Sequence, residues 1–446
     1  MKTLYTYQAE AVHTILRHPG FILADECGLG KTVVAVEVCK RLREQAQAQA
    51  QEQAQPASAA PAWRSLIIAP PALIPQWRME ILDQDPGVPV TVVNRLPLDF
   101  TALQGYFLMS IYDLSSPQVR AALSRVVFNI LVLDEAHRIK NRKTKTAQWV
   151  KQIAAARRLC LTGTPMEKTP ADLWSLLNFV APDDFPAYWN FVLNNLNVTE
   201  GYWERFVIGG PKNPQAFGEL LRPYMLRRTK DEVMPQLPEK ICIEQVVEMT
   251  SHQAAFYHTV KRQHDIVVDV DGLSTLIITN TLTKITRLQQ IAVWPPLVVP
   301  TAGAESGKLE WLDTFRDDHP NEPMVVFTRF REVAQLVHER YGGDIIIGGL
   351  RMISPDPQFC VGTIDAMGEG LNLQWARHAI FLDCHWSSIK MTQAIDRVHR
   401  VDIKEPKNLY FLWSCAEDRA VIDAFNAKMS EAELVAYYLR TVLESP

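Results

Sequence analysis

Glycines followed by a lysine and a hydroxyl residue can hold the phosphates of a nucleotide. The chain carries such a set at Asp25-Glu26-Cys27-Gly28-Leu29-Gly30-Lys31-Thr32. In that chemistry the loop N–H groups cradle the phosphates, Lys31 reaches the β- and γ-phosphates, and the Thr32 hydroxyl ligates Mg2+. The generic pattern opens on glycine, where this chain has Asp25. A second set is Asp134-Glu135-Ala136-His137. Adjacent carboxylates can divide two tasks, one holding the metal and the other orienting and activating the attacking water. A third is Thr162-Gly163-Thr164-Pro165, whose hydroxyls can hydrogen-bond toward a carboxylate of the site and signal its state elsewhere. A fourth is Gln393-Ala394-Ile395-Asp396-Arg397-Val398-His399-Arg400. On a helix Gln393, Arg397 and Arg400 would share a face. Two arginines there suit a transition-state charge clamp on a phosphoryl group.

These sets need strands and helices to position them. Phe21-Ile22-Leu23-Ala24 reads as a strand before the loop, and Val33 to Val38 as a helix after it. Leu131-Val132-Leu133 is an apolar strand ending in the acidic pair, and Leu161 closes another before Thr162. Strands are expected at 21–24, 66–69, 90–93, 106–109, 130–133 and 158–161, and again at 324–327, 345–347, 359–361, 379–382 and 409–412. Such short continuous runs suit parallel sheets covered by helices. The stretch 166–300 reads as helical and aromatic, with Trp174, Phe179, Phe185, Tyr188, Trp189, Phe191, Tyr202, Trp203 and Phe206 forming core. The expected plan is an α/β protein of two lobes, 1–165 and 301–446, with a helical insertion at 166–300. The Gln-Ala repeat from Gln45 to Gln55 has no apolar helical face and reads as a flexible loop or an exposed helix extension.

Composition narrows the class. The chain has 446 residues, 47% hydrophobic and 22% charged, with net charge −4, so binding of nucleic acid must use local basic surfaces. Seven cysteines without a C-x-x-C pair argue against a zinc module or disulfide framework. The N-terminus lacks a signal peptide's apolar core, and no apolar run approaches the ~18 residues of a membrane span. A soluble intracellular monomer without membrane contact is expected.

Taken in chain order, these motifs resemble the SNF2 family of helicase superfamily 2, the helicase-like DNA-dependent ATPases. The loop is similar to that family's Asp-Glu-x-Gly-Leu-Gly-Lys-Thr, which accounts for Asp25. Asp134 to Asn141, DEAHRIKN, resembles the acidic motif with its extension. Tyr7-Gln8 resembles the glutamine motif, and Ile67-Ile68-Ala69-Pro70 through Gln76-Trp77 motif Ia. Leu226-Arg227-Arg228-Thr229-Lys230 with Leu237-Pro238-Glu239-Lys240 resembles a segment found in this family and not in helicases generally. Ser306-Gly307-Lys308-Leu309 and Val325 to Thr328 are similar to the start of the second lobe, and Gly368 to Leu373 to motif V. The chain departs from the pattern at Lys168, at Asp365 and Met367 in motif V, and at Val401-Asp402 after motif VI, which is closest to the annealing-helicase branch. Between Phe327 and Thr363 it is shorter than usual, as if the second lobe were short of a helix or lid.

The resemblance implies two RecA-like lobes with ATP in the cleft between them and movement along double-stranded DNA. It places Tyr7, Gln8, Asp25, Gly28, Gly30, Lys31, Thr32 and Gln393 on ATP, and Thr32 and Asp134 on Mg2+. Lys31, Asp134, Glu135, Arg397 and Arg400 become the catalytic set. His137, Thr162, Gly163, Thr164, Gly368 and Gly370 couple the parts. Arg138, Lys140, Asn141 and Arg142 are the expected contacts to DNA phosphates, and Arg227, Arg228 and Lys230 an expected brace between lobes. The setting would be the cytoplasm of a bacterial or phage-infected cell, or a eukaryotic nucleus. Two other functions stay open: a helicase that separates or anneals strands of RNA or single-stranded DNA, and a nucleotide-gated protein-displacing factor with little turnover.

Overall fold

A computed structural model describes residues 3–52, 62–93, 99–166, 169–200, 206–234, 236–262, 281–368, 371–400 and 403–427. Lys168, Tyr202, Trp203, Gly370, Val401 and Asp402 lie outside these described residues. The chain forms two compact units, Met1–Pro235 and Gln236–Pro446, so the 166–300 stretch contributes to both.

The first unit is built on a parallel sheet of β1 (Gly20–Leu23), β2 (Arg64–Ala69), β3 (Val90–Val93), β4 (Gly105–Ser110), β5 (Ile130–Leu133), β6 (Arg158–Leu161) and β9 (Met225–Leu226), in the order β3-β4-β2-β5-β6-β1-β9. An antiparallel hairpin of β7 (Leu196–Thr199) and β8 (Val207–Pro211) stands apart. Alternate strand residues enter cores on opposite faces. Ile22, Ile68, Leu131, Leu133 and Cys160 pack on one face. Phe21, Leu23, Ile67, Val132 and Leu161 pack on the other. Burial on both faces is why these strands read as unbroken apolar runs. α1 (Thr6–Leu16), α2 (Lys31–Glu52) and α3 (Ile74–Gln84) each contribute buried residues. The buried positions of α2 end at Leu42, so the Gln-Ala repeat as far as Glu52 is an exposed extension of that helix. Residues 53–55 of the repeat lie outside the described set.

The second unit repeats the scheme with β10 (Lys240–Val246), β11 (Met324–Thr328), β12 (Asp344–Ile347), β13 (Leu350–Met352), β14 (Phe359–Thr363), β15 (His378–Phe381) and β16 (Lys407–Trp413). Their order is β10-β16-β15-β11-β14-β12-β13, parallel except for β12-β13. The shortened stretch between β11 and β14 holds one helix, Arg331–Tyr341, and the β12-β13 hairpin, whose Gly349 takes the left-handed φ of +83°. Two α/β units with mostly parallel sheets are the fold the sequence predicted. No helix among the described residues is long and apolar enough to cross a membrane.

Candidate active site

Strand order does the first part of the positioning. β5, β6 and β1 are neighbours and parallel, so the acidic motif, Thr162-Gly163-Thr164 and the glycine loop all leave the same edge of the sheet. In open parallel sheets ligands bind at the carboxyl ends of the strands, where these motifs stand.

The loop from Asp25 to Gly30 leads directly into α2, whose first residues are Lys31 and Thr32. Gly28 and Gly30 take φ of +90° and +80°, the left-handed region that favours glycine. Gly30 answers a second demand, because a Cβ there would sit 2.5 Å from Gln8 Nε2. Gln8 and Tyr7, on α1, hold the loop from that side. Gln8 Nε2 and Tyr7 Oη each donate to the Leu29 carbonyl at 3.1 Å, while Gln8 Oε1 accepts from the Tyr5 N–H. The Gln8 amide is thus committed to the loop backbone. Gly163 is equally constrained, since a Cβ there would meet Cys27 Sγ at 2.4 Å and Lys31 Nζ at 3.6 Å. Lys31 Nζ itself donates to the carbonyls of Asp25 and Glu26 at 2.8 and 3.3 Å.

Asp25 has a partner that the sequence did not disclose. Arg228 grips its carboxylate with a fork, Nη2 to Oδ2 at 2.6 Å and Nε to Oδ1 at 3.2 Å, and donates from Nη1 to the Tyr7 carbonyl at 2.6 Å. The pair is largely out of water, Asp25 being 1% exposed. The main chain continues the attachment. β9 runs beside β1, the Ala24 and Glu26 N–H groups donate to the carbonyls of Leu226 and Arg228, and the Lys230 N–H donates to Glu26 Oε2. Arg227 is exposed. Arg228 and the Lys230 backbone clamp the phosphate loop within the first unit. A guanidinium fork needs a carboxylate to grip, which is a reason for aspartate in place of glycine at 25.

At the end of β5 the two acids differ. Asp134 is buried, accepts from Trp77 Nε1 at 2.8 Å through Oδ2, and takes the Glu135 N–H at 2.9 Å through Oδ1. Burial, then the neighbouring Glu135, pushes its carboxyl up to about 6, against the pull of Lys31. A buried carboxylate beside a second acid fits a divalent cation, which would relieve both effects. Glu135 is half-buried and is the one non-glycine described residue with positive φ, at +48°. Strain of this type costs ~1–3 kcal/mol and clusters at functional sites. His137 Nδ1 lies 3.2 Å from Glu135 Oε2. Thr162 is buried, and its hydroxyl accepts the Thr164 N–H at 3.2 Å.

The remaining expected residues belong to the second unit. The helix Ser388–Val398 carries Gln393 and Arg397, one turn apart. It stops there, which corrects the reading of one helical face shared by Gln393, Arg397 and Arg400. His399 turns the chain to an extended conformation, φ −106° and ψ 93°, and its Nε2 stands 2.7 Å from the Pro238 carbonyl. Arg400 therefore follows the helix. Arg397 is buried and donates from Nε to the Gly368 carbonyl at 3.0 Å, joining motif V to motif VI. Asp365 sits 2.7 Å from Lys390 Nζ, so the unusual acid at that position has a cation in its own unit.

The basic run proves mixed. Arg138 donates to the Tyr112 hydroxyl at 3.0 Å, and Arg142 lies 4.2 Å over the ring of Tyr188. Lys140 is half-buried, whereas Asn141, Lys143 and Lys145 are exposed. Sequence reasoning had singled out neither Arg228 as a clamp nor Trp77 as the support of Asp134. Their signal was present only as motif membership.

Residues 7–296 match the model of the SNF2-related domain, and residues 307–402 that of the helicase conserved C-terminal domain. YwqA of Bacillus subtilis, named for a proposed ATP-dependent helicase/translocase activity, is 28% identical over 442 residues, covering 90% of this chain and 45% of that protein. The uncharacterized ATP-dependent helicase MG018 of Mycoplasma genitalium is 26% identical, over 92% of this chain and 40% of its own length. A solved SWI2/SNF2 ATPase core of Sulfolobus solfataricus in complex with double-stranded DNA is 22% identical, with a TM-score of 0.46, covering 99% of this chain and 94% of that one. The chain thus spans less than half the length of the two relatives named. It belongs to the SNF2-related family.

Proposed function

We propose that this chain is an ATP-driven motor of the SNF2 type, a DNA-dependent ATPase that moves along double-stranded DNA. What supports this reading most is the clamp on the phosphate loop. The family-specific segment closes on Asp25, and the acidic pair and Thr162-Gly163-Thr164 stand on adjacent strands.

In this reading the N–H groups of Gly28 to Thr32 and the Lys31 ammonium take the ATP phosphates, exchanging the Asp25 and Glu26 carbonyls for phosphate oxygens at Lys31 Nζ. Thr32 and Asp134 would hold Mg2+, which when bound neutralises charge on the phosphates. Glu135 orients the attacking water and accepts its proton. Arg397 and Arg400 supply positive charge to the phosphoryl group during turnover, with Gln393 contributing to ATP binding. The bond from Arg397 to Gly368 ties that arginine to motif V, so movement of one is felt by the other. His137, Thr162, Gly163 and Thr164 pass the state of the acidic pair to the rest of the first unit. DNA is held by its phosphates, which makes binding sequence-tolerant and salt-sensitive. Asn141, Lys143 and Lys145 are the exposed members of the basic run, with Arg138, Lys140 and Arg142 beside them. The protein works as a monomer.

The test is displacement of a third strand from a DNA triplex, which reports movement along duplex without strand separation. The expected result is ATP-dependent release by the full chain and none by Glu135→Gln. Release that persists with Glu135→Gln would overturn the assignment of the base. Absence of release by the full chain, with ATP hydrolysed, would overturn translocation.

A further inference from the structure

The second unit carries a cluster of metal-ligating side chains that the motor does not use. His319 ends the helix Gly307–Asp318, Glu322 lies in the turn before β11, and His378 opens β15. One ligand atom from each lies within 4.8 Å of the others. They stand where β11 and β15 begin, whereas the motor's motifs follow the ends of their strands. We propose that His319, Glu322 and His378 form a site for a transition-metal dication of the zinc type.

The surroundings of His319 are arranged as such a site requires. His319 Nδ1 is 2.9 Å from the Phe315 carbonyl, a contact that fixes the N–H on Nδ1 and presents the Nε2 lone pair. Ligating histidines commonly hold their second nitrogen in this way. His378 Nδ1 is 3.5 Å from the Asn408 amide, and its Nε2 is 2.7 Å from Glu322 Oε2. Without metal, a proton on Nε2 bridges imidazole and carboxylate where the cation would bind. Phe315 stacks on His319 at 4.2 Å and meets His378 edge-on at 5.3 Å, so an aromatic wall fixes both rings. The Glu322 N–H donates to the His319 carbonyl, which closes the turn carrying two of the three ligands.

Two imidazoles and a carboxylate form a borderline donor set that favours zinc-like ions over Mg2+ or Ca2+. Three protein ligands leave a fourth position to water. The bound ion would tie the α-to-β turn at 319–322 to the start of β15. Its competitors are the bridging proton and Arg377, whose Nε lies 3.1 Å from Glu322 Oε2.

The experiment is a Zn2+ titration of the chelator-treated full chain against a chromophoric competitor, with Co2+ absorption as the geometric readout. His319→Gln and Glu322→Gln are the informative variants, since both side chains are half-buried in a surface turn, and Cys242→Ser, at an exposed thiol, is the control. The expected result is one equivalent of Zn2+ with low-symmetry Co2+ bands in the full chain and in Cys242→Ser. Affinity should fall at least about tenfold in each ligand variant. If the His319→Gln and Glu322→Gln proteins melt as the unsubstituted chain does without metal, the loss is not a folding defect. Absence of Zn2+ binding by the full chain, or equal binding by both variants, would overturn the proposal.

Discussion

The phosphate loop of the first unit and the arginine segment of the second are held in opposite ways. The loop is gripped by side chains from outside it. Arg228 reaches back to Asp25, and Tyr7 and Gln8 reach forward to Leu29. The arginine segment reaches out with its own side chains, Arg397 to the Gly368 carbonyl and His399 to the Pro238 carbonyl, at the end of a helix that stops at Val398. The difference shows where preorganisation is concentrated. A loop whose backbone N–H groups must converge on phosphate needs its shape set beforehand. An arginine carries its fork on a long side chain and needs only its root held.

The largest expected effect breaks the arginine segment. Arg400→Ala should lower DNA-stimulated ATP turnover by ~10³–10⁵-fold while leaving binding of a fluorescent ATP analogue within a few-fold. Loss of nucleotide binding on the same scale would mean that Arg400 shapes the ground state instead. Arg228→Ala tests the other side of the comparison. Removing one partner of a largely buried pair costs ~3–5 kcal/mol, to be read from urea melts. Arg397→Ala, which removes one charged hydrogen bond to a carbonyl, should cost ~1.5–3 kcal/mol. If the order reverses, the loop is not the more tightly held region.

A smaller effect concerns Asp134. Its carboxyl is raised from 3.8 to about 6, so between those values the folded protein binds more protons than the unfolded chain. The nucleotide-free protein should therefore lose stability as pH rises through that window, with the full cost present above about 6. Asp134→Asn removes that charge and should flatten the pH dependence of stability between about 4 and 6, while abolishing turnover. A pH dependence unchanged in Asp134→Asn would contradict the account. The smallest effect is that of Tyr7→Phe. It deletes the hydroxyl that donates to the Leu29 carbonyl and should cost ~1 kcal/mol, with a modest loss of ATP affinity.

Much of this was legible from the chain. Every strand that is buried on both faces announced itself as an apolar run, and the loop, the acidic pair and motif VI stood out by residue type and spacing. What escaped the reading had weaker or longer-range causes. β9 is two residues long, and only pairing with β1 makes it a strand. β10 lies at a sheet edge with most of its side chains exposed or half-buried, so it carries no buried run. The bond from Arg228 to Asp25 joins residues far apart in the chain, and neither side chain alone signals the other. The end of the helix before Arg400 depends on the contact of His399 with Pro238, which spacing could not reveal.

The central claim is that this loop and acidic pair drive a motor on duplex DNA. The most direct measurement is ATP hydrolysis by the full chain with duplex DNA, single-stranded DNA or RNA, alongside Lys31→Ala. The account predicts strong stimulation by duplex, weaker stimulation by the other two, and none in Lys31→Ala. Equal or greater stimulation by single-stranded DNA or RNA, or turnover that survives Lys31→Ala, would contradict it.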